Sequence, residues 1–156
     1  MTNNIQTLYF DSIIPNLKAN NAQQVFKRLA EHTANLIGTS QEKICNALNG
    51  LEKSEGCGVG QGIAIPHMRL PRLTEPMVIF ASLSTPVLFN GCDDDPVDLI
   101  CLVLLPDYMG GEYLRHLSMV TRAMKDHSFS ESLREAKDSD DIRFLLKKNN
   151  EKKLAA

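Results

Sequence analysis

The residue types best able to do chemistry in this chain lie in Gly56-Cys57-Gly58-Val59-Gly60-Gln61-Gly62-Ile63-Ala64-Ile65-Pro66-His67, where alternate glycines lead through short apolar steps into a proline and a histidine. Glycine at every second residue strips side chains from one face of the backbone, so another molecule can approach closely and N–H groups can meet an anion. Pro66 fixes its own φ, holds Ile65 extended and carries no donor, which predicts a strand ending where His67 begins. Neutral imidazole is a nucleophile toward phosphorus, and an unperturbed histidine, with a pKa of about 6.5, is mostly neutral near pH 7. Phosphoryl transfer depends on in-line positioning and on stabilising charge on the equatorial oxygens. His67 is therefore a candidate phosphoryl acceptor, with the N–H groups of Gly58, Gly60 and Gly62 as candidate phosphate donors. The same residues are equally read as a glycine turn, a strand and an incidental surface histidine.

Other clusters carry less. Asp93-Asp94-Asp95 lacks the alternate spacing and the glycine of a calcium loop and reads as a solvated turn. Cys45, Cys57, Cys92 and Cys101 have no Cys-x-x-Cys spacing, and the histidines are scattered, so no metal site is predicted. The cysteines read as reduced, structural thiols of a cytoplasmic protein. The glycines miss the spacing of a dinucleotide fingerprint and precede their strand, so no nucleotide cofactor is implied. With 17 basic against 19 acidic side chains there is no electrostatic case for nucleic acid. Met1 to Ile5 has neither the basic nor the apolar region of a leader, and the longest apolar run, Leu99 to Pro106, falls far short of the roughly 18 residues of a membrane span. The expectation is a cytoplasmic chain without membrane insertion.

The elements that must position His67 can be read from periodicity. A length of 156 residues and 43% hydrophobic content suit one domain. A short strand is predicted near Leu8 to Phe10. A helix over Ala22 to Ile37 carries Ala22, Val25, Phe26, Leu29, Ala30, Thr33, Leu36 and Ile37 on one stripe, capped by Asn21 with Gln24 and ended by Gly38. Ser40 opens a second helix with Ile44, Ala47, Leu48 and Leu51, which delivers the chain to the glycine run. Beyond a loop bracketed by Pro71 and Pro76, Met77 to Leu83 reads as a strand. After an Asn90-Gly91 turn, Val97 to Leu105 is apolar on both faces, as a central strand covered by helices on both sides would be. Gly110 and Gly111 lead into a helix with Leu114, Leu117, Val120, Thr121 and Met124 on one face. Ser128 with Glu131, and Ser139, open two short helices, and the basic tail Lys147 to Lys153 reads as frayed and solvated. His32 and His127 read as surface residues. The derived class is a single α/β domain.

The run Gly60 to His67 closely resembles the phosphorylation-site motif of the enzyme IIA domains of the bacterial phosphoenolpyruvate-dependent phosphotransferase system, fructose/mannitol superfamily, and within it the nitrogen-type regulatory enzyme IIA. Asp98 to Pro106 followed by Leu114 to Met124 resembles the second signature strand and helix of that family, and the likeness runs from about Thr7 to about Leu146. The resemblance implies one domain over residues 1–156 with a central mixed sheet flanked by helices on both faces. It implies that His67 accepts a phosphoryl group, on Nε2, from a histidine-containing phosphocarrier protein, and that phosphorylation state regulates protein targets. A sugar-specific enzyme IIA that passes phosphate to a transport component, and a phosphorylation-independent binding module on the same fold, are the alternatives.

The resemblance also implies a second functional histidine on the helix after the Val97 to Leu105 strand. Ungapped counting from Pro106 puts Arg115 there, with His116 displaced by about 100° around the helix. Arg115 either pairs bidentately with phosphate or lies in solvent. Where such domains often carry an arginine before a Glu-Lys pair, this chain has Leu51-Glu52-Lys53. Compensation would fall to Arg115 or to Arg69, two residues beyond His67, unless Arg69 is simply exposed.

Overall fold

In the computed structural model, which describes residues 7–155, a mixed sheet is built around the strand that is apolar on both faces. The elements run β1 (Ser12–Leu17), α1 (Ala22–Ile37), α2 (Gln41–Ser54), β2 (Gly58–Gly60), β3 (Ile63–Ala64), β4 (His67–Leu70), β5 (Met77–Val87), β6 (Val97–Pro106), α3 (Glu112–Met124), α4 (His127–Glu135) and α5 (Ser139–Ala155). The strand order is β1-β5-β6-β3-β2, and β4 follows β3 along the same edge of β6. β1 lies parallel to β5, β5 antiparallel to β6, β3 and β4 parallel to β6, and β2 antiparallel to β3.

Alternation along β6 divides the interior into two cores, because successive side chains point to opposite faces of a sheet. Ile100, Leu102 and Leu104 meet Phe26 and Leu29 of α1 and Ile44 and Leu48 of α2. Leu99, Cys101, Val103 and Leu105 meet Val120 and Met124 of α3, Phe129 and Leu133 of α4, and Ile142 and Leu146 of α5. Each fully buried leucine or isoleucine contributes roughly 1.5–3 kcal/mol relative to exposure. The single α/β domain with helices on both faces of a mixed sheet is therefore the observed architecture.

The first two helices end where their sequence signals place them. Asn21 Oδ1 accepts the Gln24 N–H at 2.9 Å, while Gln24 Oε1 accepts from Asn20 rather than from the cap itself. Gly38, at φ 69, closes α1 with its N–H on the Ala34 carbonyl. Ser40 Oγ accepts from Lys43 to open α2.

Five boundaries differ from expectation. Leu8 and Phe10 are buried core residues outside any strand, and β1 starts at Ser12 and takes in Pro15, which an edge strand tolerates because its N–H is not needed there. β5 continues past Leu83 to Val87, across a register shift that accommodates Pro86. Asp126 rather than Ser128 caps α4, and Asp138 accepts the Asp141 N–H ahead of α5. The basic tail is helical as far as Ala155, because Asn150 is buried and donates to the Leu8 carbonyl at 2.8 Å.

Candidate functional site

The strand before Pro66 ends ahead of His67, as its sequence implies, and His67 then opens a new one. Pro66 interrupts the ladder after β3, yet its carbonyl accepts the Val103 N–H at 2.9 Å, and the chain re-enters the sheet with His67 opposite Val103. A missing N–H therefore breaks one strand without turning the chain out of the sheet. Alternation then sorts the side chains of β4: Met68 and Leu70 join the core under α1 and α2, and His67 and Arg69 face the α3 side.

The His67 ring is half-buried, and its Nδ1 lies 3.4 Å from the Ile65 carbonyl oxygen. An N–H at Nδ1 donating to that oxygen leaves the lone pair on Nε2. Arg69 is exposed, and its guanidinium carbon lies 4.5 Å from the centroid of the Tyr113 ring, a cation–π contact joining β4 to the first turn of α3. Arg69 has no carboxylate partner among the described residues.

On α3, Tyr113, Leu117, Val120, Ala123 and Met124 turn toward the sheet, while Leu114 is 57% exposed. This stripe bears on two candidates, Arg115 and His116. Arg115 sits about 200° around the helix from Tyr113 and is exposed, with no hydrogen-bond or ion-pair partner among the described residues. His116 is turned inward, its Nε2 buried without a hydrogen-bond partner. Burial pushes the His116 pKa below its usual value, against the opposing pull of the Asp11 carboxylate. Asp11 accepts the Val78 N–H, and Val78, Val103 and His67 are register neighbours across β5, β6 and β4. Tyr113, which sequence reasoning passed over, thus joins α3 to β4. Its signal was the 3.6-residue stripe itself, counted from Leu117 and Val120 back toward the N-terminus.

The glycines serve the scaffold. Gly58 donates its N–H to the Asn90 carbonyl at 2.9 Å and accepts from Cys92, and Gly58 bridges to Gly91. A Cβ on Gly91 would fall 2.6 Å from the Gly58 Cα, so the backbone stripped of side chains admits a segment of the same chain, not a ligand. Gly60 and Gly62, at φ 95 and 76, flank the turn between β2 and β3. Ile63 pairs with Leu99 whereas His67 pairs with Val103, so that turn lies four residues, roughly 13 Å, from His67 along β6. It is clamped by Arg134, which donates to the Asp98 carboxylate at 2.9 Å and to the Gln61 carbonyl at 2.6 Å. The Gly58 N–H is therefore already engaged, and Gly60 and Gly62 belong to a hairpin remote from the histidine.

Glu52 was also passed over. At 8% exposure, its Oε1 accepts the Cys57 N–H at 3.0 Å, its Oε2 accepts the Asn90 N–H at 2.7 Å, and its own carbonyl accepts from the Asn90 side chain. Cys57 in turn accepts the Ile65 N–H, so the carboxylate anchors the strand that leads into His67. Its position was legible at a four-residue spacing beyond Ile44 and Leu48, on the buried stripe of α2. Leu51 beside it packs against the core and brings no cation to the site. The Cys57 thiol pKa is pushed far up by burial and then by Glu52. Asp93 to Asp95 form an exposed turn in which Asp93 accepts the Asp95 N–H, and no group of metal-binding side chains occurs among the described residues. No helix among those residues is long and apolar enough to cross a membrane.

Comparison with known proteins bears on what this arrangement does. The family described as "Phosphoenolpyruvate-dependent sugar phosphotransferase system, EIIA 2" matches residues 8–149. The chain is 35% identical over 136 residues to the nitrogen regulatory protein of Bradyrhizobium diazoefficiens, covering 87% of this chain and 89% of that one. It is 29% identical over 149 residues to the nitrogen regulatory protein of Escherichia coli, covering 91% of each. Among solved structures, nitrogen regulatory protein IIA-Ntr from Neisseria meningitidis superposes with a TM-score of 0.78 at 28% identity, over 86% of this chain and 92% of that one. The mannitol IIA of Escherichia coli, at 23% identity and a TM-score of 0.71 over 86% of this chain and 95% of that one, shares the fold.

Proposed function

This chain belongs to the phosphoenolpyruvate-dependent sugar phosphotransferase system EIIA 2 family, and on that premise we propose that it is a cytoplasmic phosphoryl-accepting regulatory protein, phosphorylated on His67 by a histidine-containing phosphocarrier protein and acting through its affinity for protein targets. The supporting observation is the setting of His67: a half-buried imidazole at the start of β4, Nδ1 directed to its own chain at Ile65, with Arg69 on the same strand face.

The chemistry follows from that tautomer. The Nε2 lone pair of His67 forms the new N–P bond while the donor nitrogen takes back the electron pair of the N–P bond that breaks. The donor ring, protonated on its other nitrogen, leaves as a neutral imidazole, and the His67 Nδ1 proton stays on its ring, held toward Ile65. One phosphohistidine replaces another, so the exchange is close to balanced and reversible. Arg69, on the same face of β4, is the residue this reading assigns to neutralise the phosphoryl oxygens; Arg115, exposed and about 200° around α3 from Tyr113, is not assigned that role.

Output through partner binding follows from charge. A phosphoryl group adds about two negative charges at the β4–α3 rim, favouring partners that carry arginine there and weakening those that carry carboxylates. The regulatory role is preferred over sugar transport because the relatives of greatest coverage carry the name nitrogen regulatory protein. Nitrogen-15 and phosphorus-31 NMR of the phosphorylated chain tests the chemistry: the expected product carries phosphorus on Nε2 of His67, and phosphorus on Nδ1 would overturn the tautomer assignment. Pull-downs with the phosphorylated and unphosphorylated chain test the output: different partner sets are expected, and identical sets and affinities would contradict a phosphorylation switch.

A further inference from the structure

Arg69 has an unusual resting place for a cation two residues from an acceptor histidine. It makes no ion pair among the described residues, and its guanidinium instead lies over the Tyr113 ring at 4.5 Å. His67 and Arg69 lie on one face of β4, where alternate residues are roughly 6.6 Å apart, a distance an arginine side chain spans. The ring that holds the guanidinium is half-buried against the α3 core and therefore fixed, while the guanidinium itself is exposed and free to rotate away.

We infer that Tyr113 is a parking site for Arg69, and that phosphorylation of His67 moves the guanidinium from the ring to the phosphoryl oxygens. This rests on His67 being the phosphoryl acceptor and identifies the residues that read its state. The physical basis is a difference in strength: a cation–π contact at an exposed site is weaker than a bidentate, charge-assisted hydrogen bond to a dianion. In the unphosphorylated chain no carboxylate among the described residues pairs with Arg69 in place of the ring, and afterwards the phosphoryl group competes for it. The switch has two products. The new charge is partly neutralised, and the Tyr113 ring at the start of α3 is uncovered, presenting an aromatic surface beside the modified histidine. A partner that needs that ring distinguishes the two states by more than charge.

The two residues act in opposite directions on the phosphorylation equilibrium, which makes the inference testable by a double-mutant cycle. The readout is the fraction phosphorylated at equilibrium with a fixed ratio of phosphorylated to unphosphorylated histidine phosphocarrier, measured by intact mass. Arg69→Gln removes the clamp and is expected to lower the equilibrium constant about tenfold. Tyr113→Leu removes the competing ring and is expected to raise it about threefold, since the resting state alone loses a contact. Tyr113→Phe keeps a ring and should behave as the wild type. In the Arg69→Gln background, Tyr113→Leu should have no effect. On phosphorylation the Cδ protons of Arg69, shielded by the ring at rest, should move downfield in the NMR spectrum of the wild type. A fall in the equilibrium constant for Tyr113→Leu, or the same effect with and without Arg69, would overturn the parking role while leaving His67 as acceptor. Absence of phosphorylation in the wild type would overturn both.

Discussion

Replacing Glu52 isolates the contribution of one buried carboxylate to the geometry that presents His67. Its two oxygens each accept a backbone N–H, from Cys57 at 3.0 Å and from Asn90 at 2.7 Å, on either side of the Gly58–Gly91 crossing. Glu52→Ala leaves both donors without a partner. An orphaned buried N–H costs about 1–3 kcal/mol, with the upper part of that range fitting the buried Cys57 and the lower part the water-accessible Asn90. The loss of stability should be about 3 kcal/mol. Glu52→Gln keeps one acceptor oxygen but turns an amide NH2 toward the other N–H, and should lose about half as much. Urea unfolding monitored by circular dichroism gives the energies, with an unchanged m-value expected because the fold is retained. Amide exchange locates the damage: Cys57 and Asn90 should exchange much faster in both variants, while Val103 in the central strand keeps its protection. A loss below about 0.5 kcal/mol in Glu52→Ala, with unchanged exchange at Cys57, would refute the anchoring role.

Other consequences follow from single residues. Gly62→Ala should be strongly destabilising, because φ 76 disfavours a Cβ and that atom would lie 2.8 Å from Arg134 Nη2; an unfolding midpoint within error of wild type would count against the clamp on the β2–β3 turn. His116 has a folded-state pKa below 6.5, so the unfolded chain binds the proton first as pH falls. Its contribution is therefore intact above about pH 6.5 and lost as pH falls through the window down to the folded value; His116→Leu should flatten that part of the pH–stability curve, and an NMR titration at or above 6.5 would contradict the burial. Iodoacetamide at pH 8 should label exposed Cys92 first, while Cys57 and Cys101, whose thiol pKa values are pushed up by burial, stay unmodified until the chain unfolds; rapid labelling of Cys101 in native protein would be inconsistent with its place in the sheet.

Legibility in the sequence followed the physics of each segment. α1, α2 and β6 were readable because their signals are local and redundant: apolar stripes at helical spacing, Asn21 and Ser40 as caps, Gly38 as a stop, and a strand apolar on both faces. β1 was not, since Ser12, Pro15 and Asn16 look like loop residues until the edge position supplies a setting for them. The helical tail was hidden because its polar residues carry little periodicity and its anchor, the Asn150 bond to the Leu8 carbonyl, joins opposite ends of the chain. The glycine run was read as open to a ligand because nothing local reveals that Gly91 fills the space beside Gly58. At the site, Pro66 ends β3 as its missing N–H requires, but nothing local shows that its carbonyl stays available to Val103, so that the chain re-enters the sheet at His67. Arg115 was placed by counting from Pro106, and the true facing of α3 is set by core contacts of Leu117, Val120 and Met124, which bring Tyr113 round to Arg69.

The claim that His67 accepts a phosphoryl group is tested most directly by intact-mass spectrometry at mildly alkaline pH, after incubation with phosphoenolpyruvate, enzyme I and a histidine phosphocarrier, with His67→Ala in parallel. The expected result is an acid-labile gain of one phosphoryl group in the wild type and none in the variant. No gain with any carrier, or an equal gain in both proteins, would contradict it.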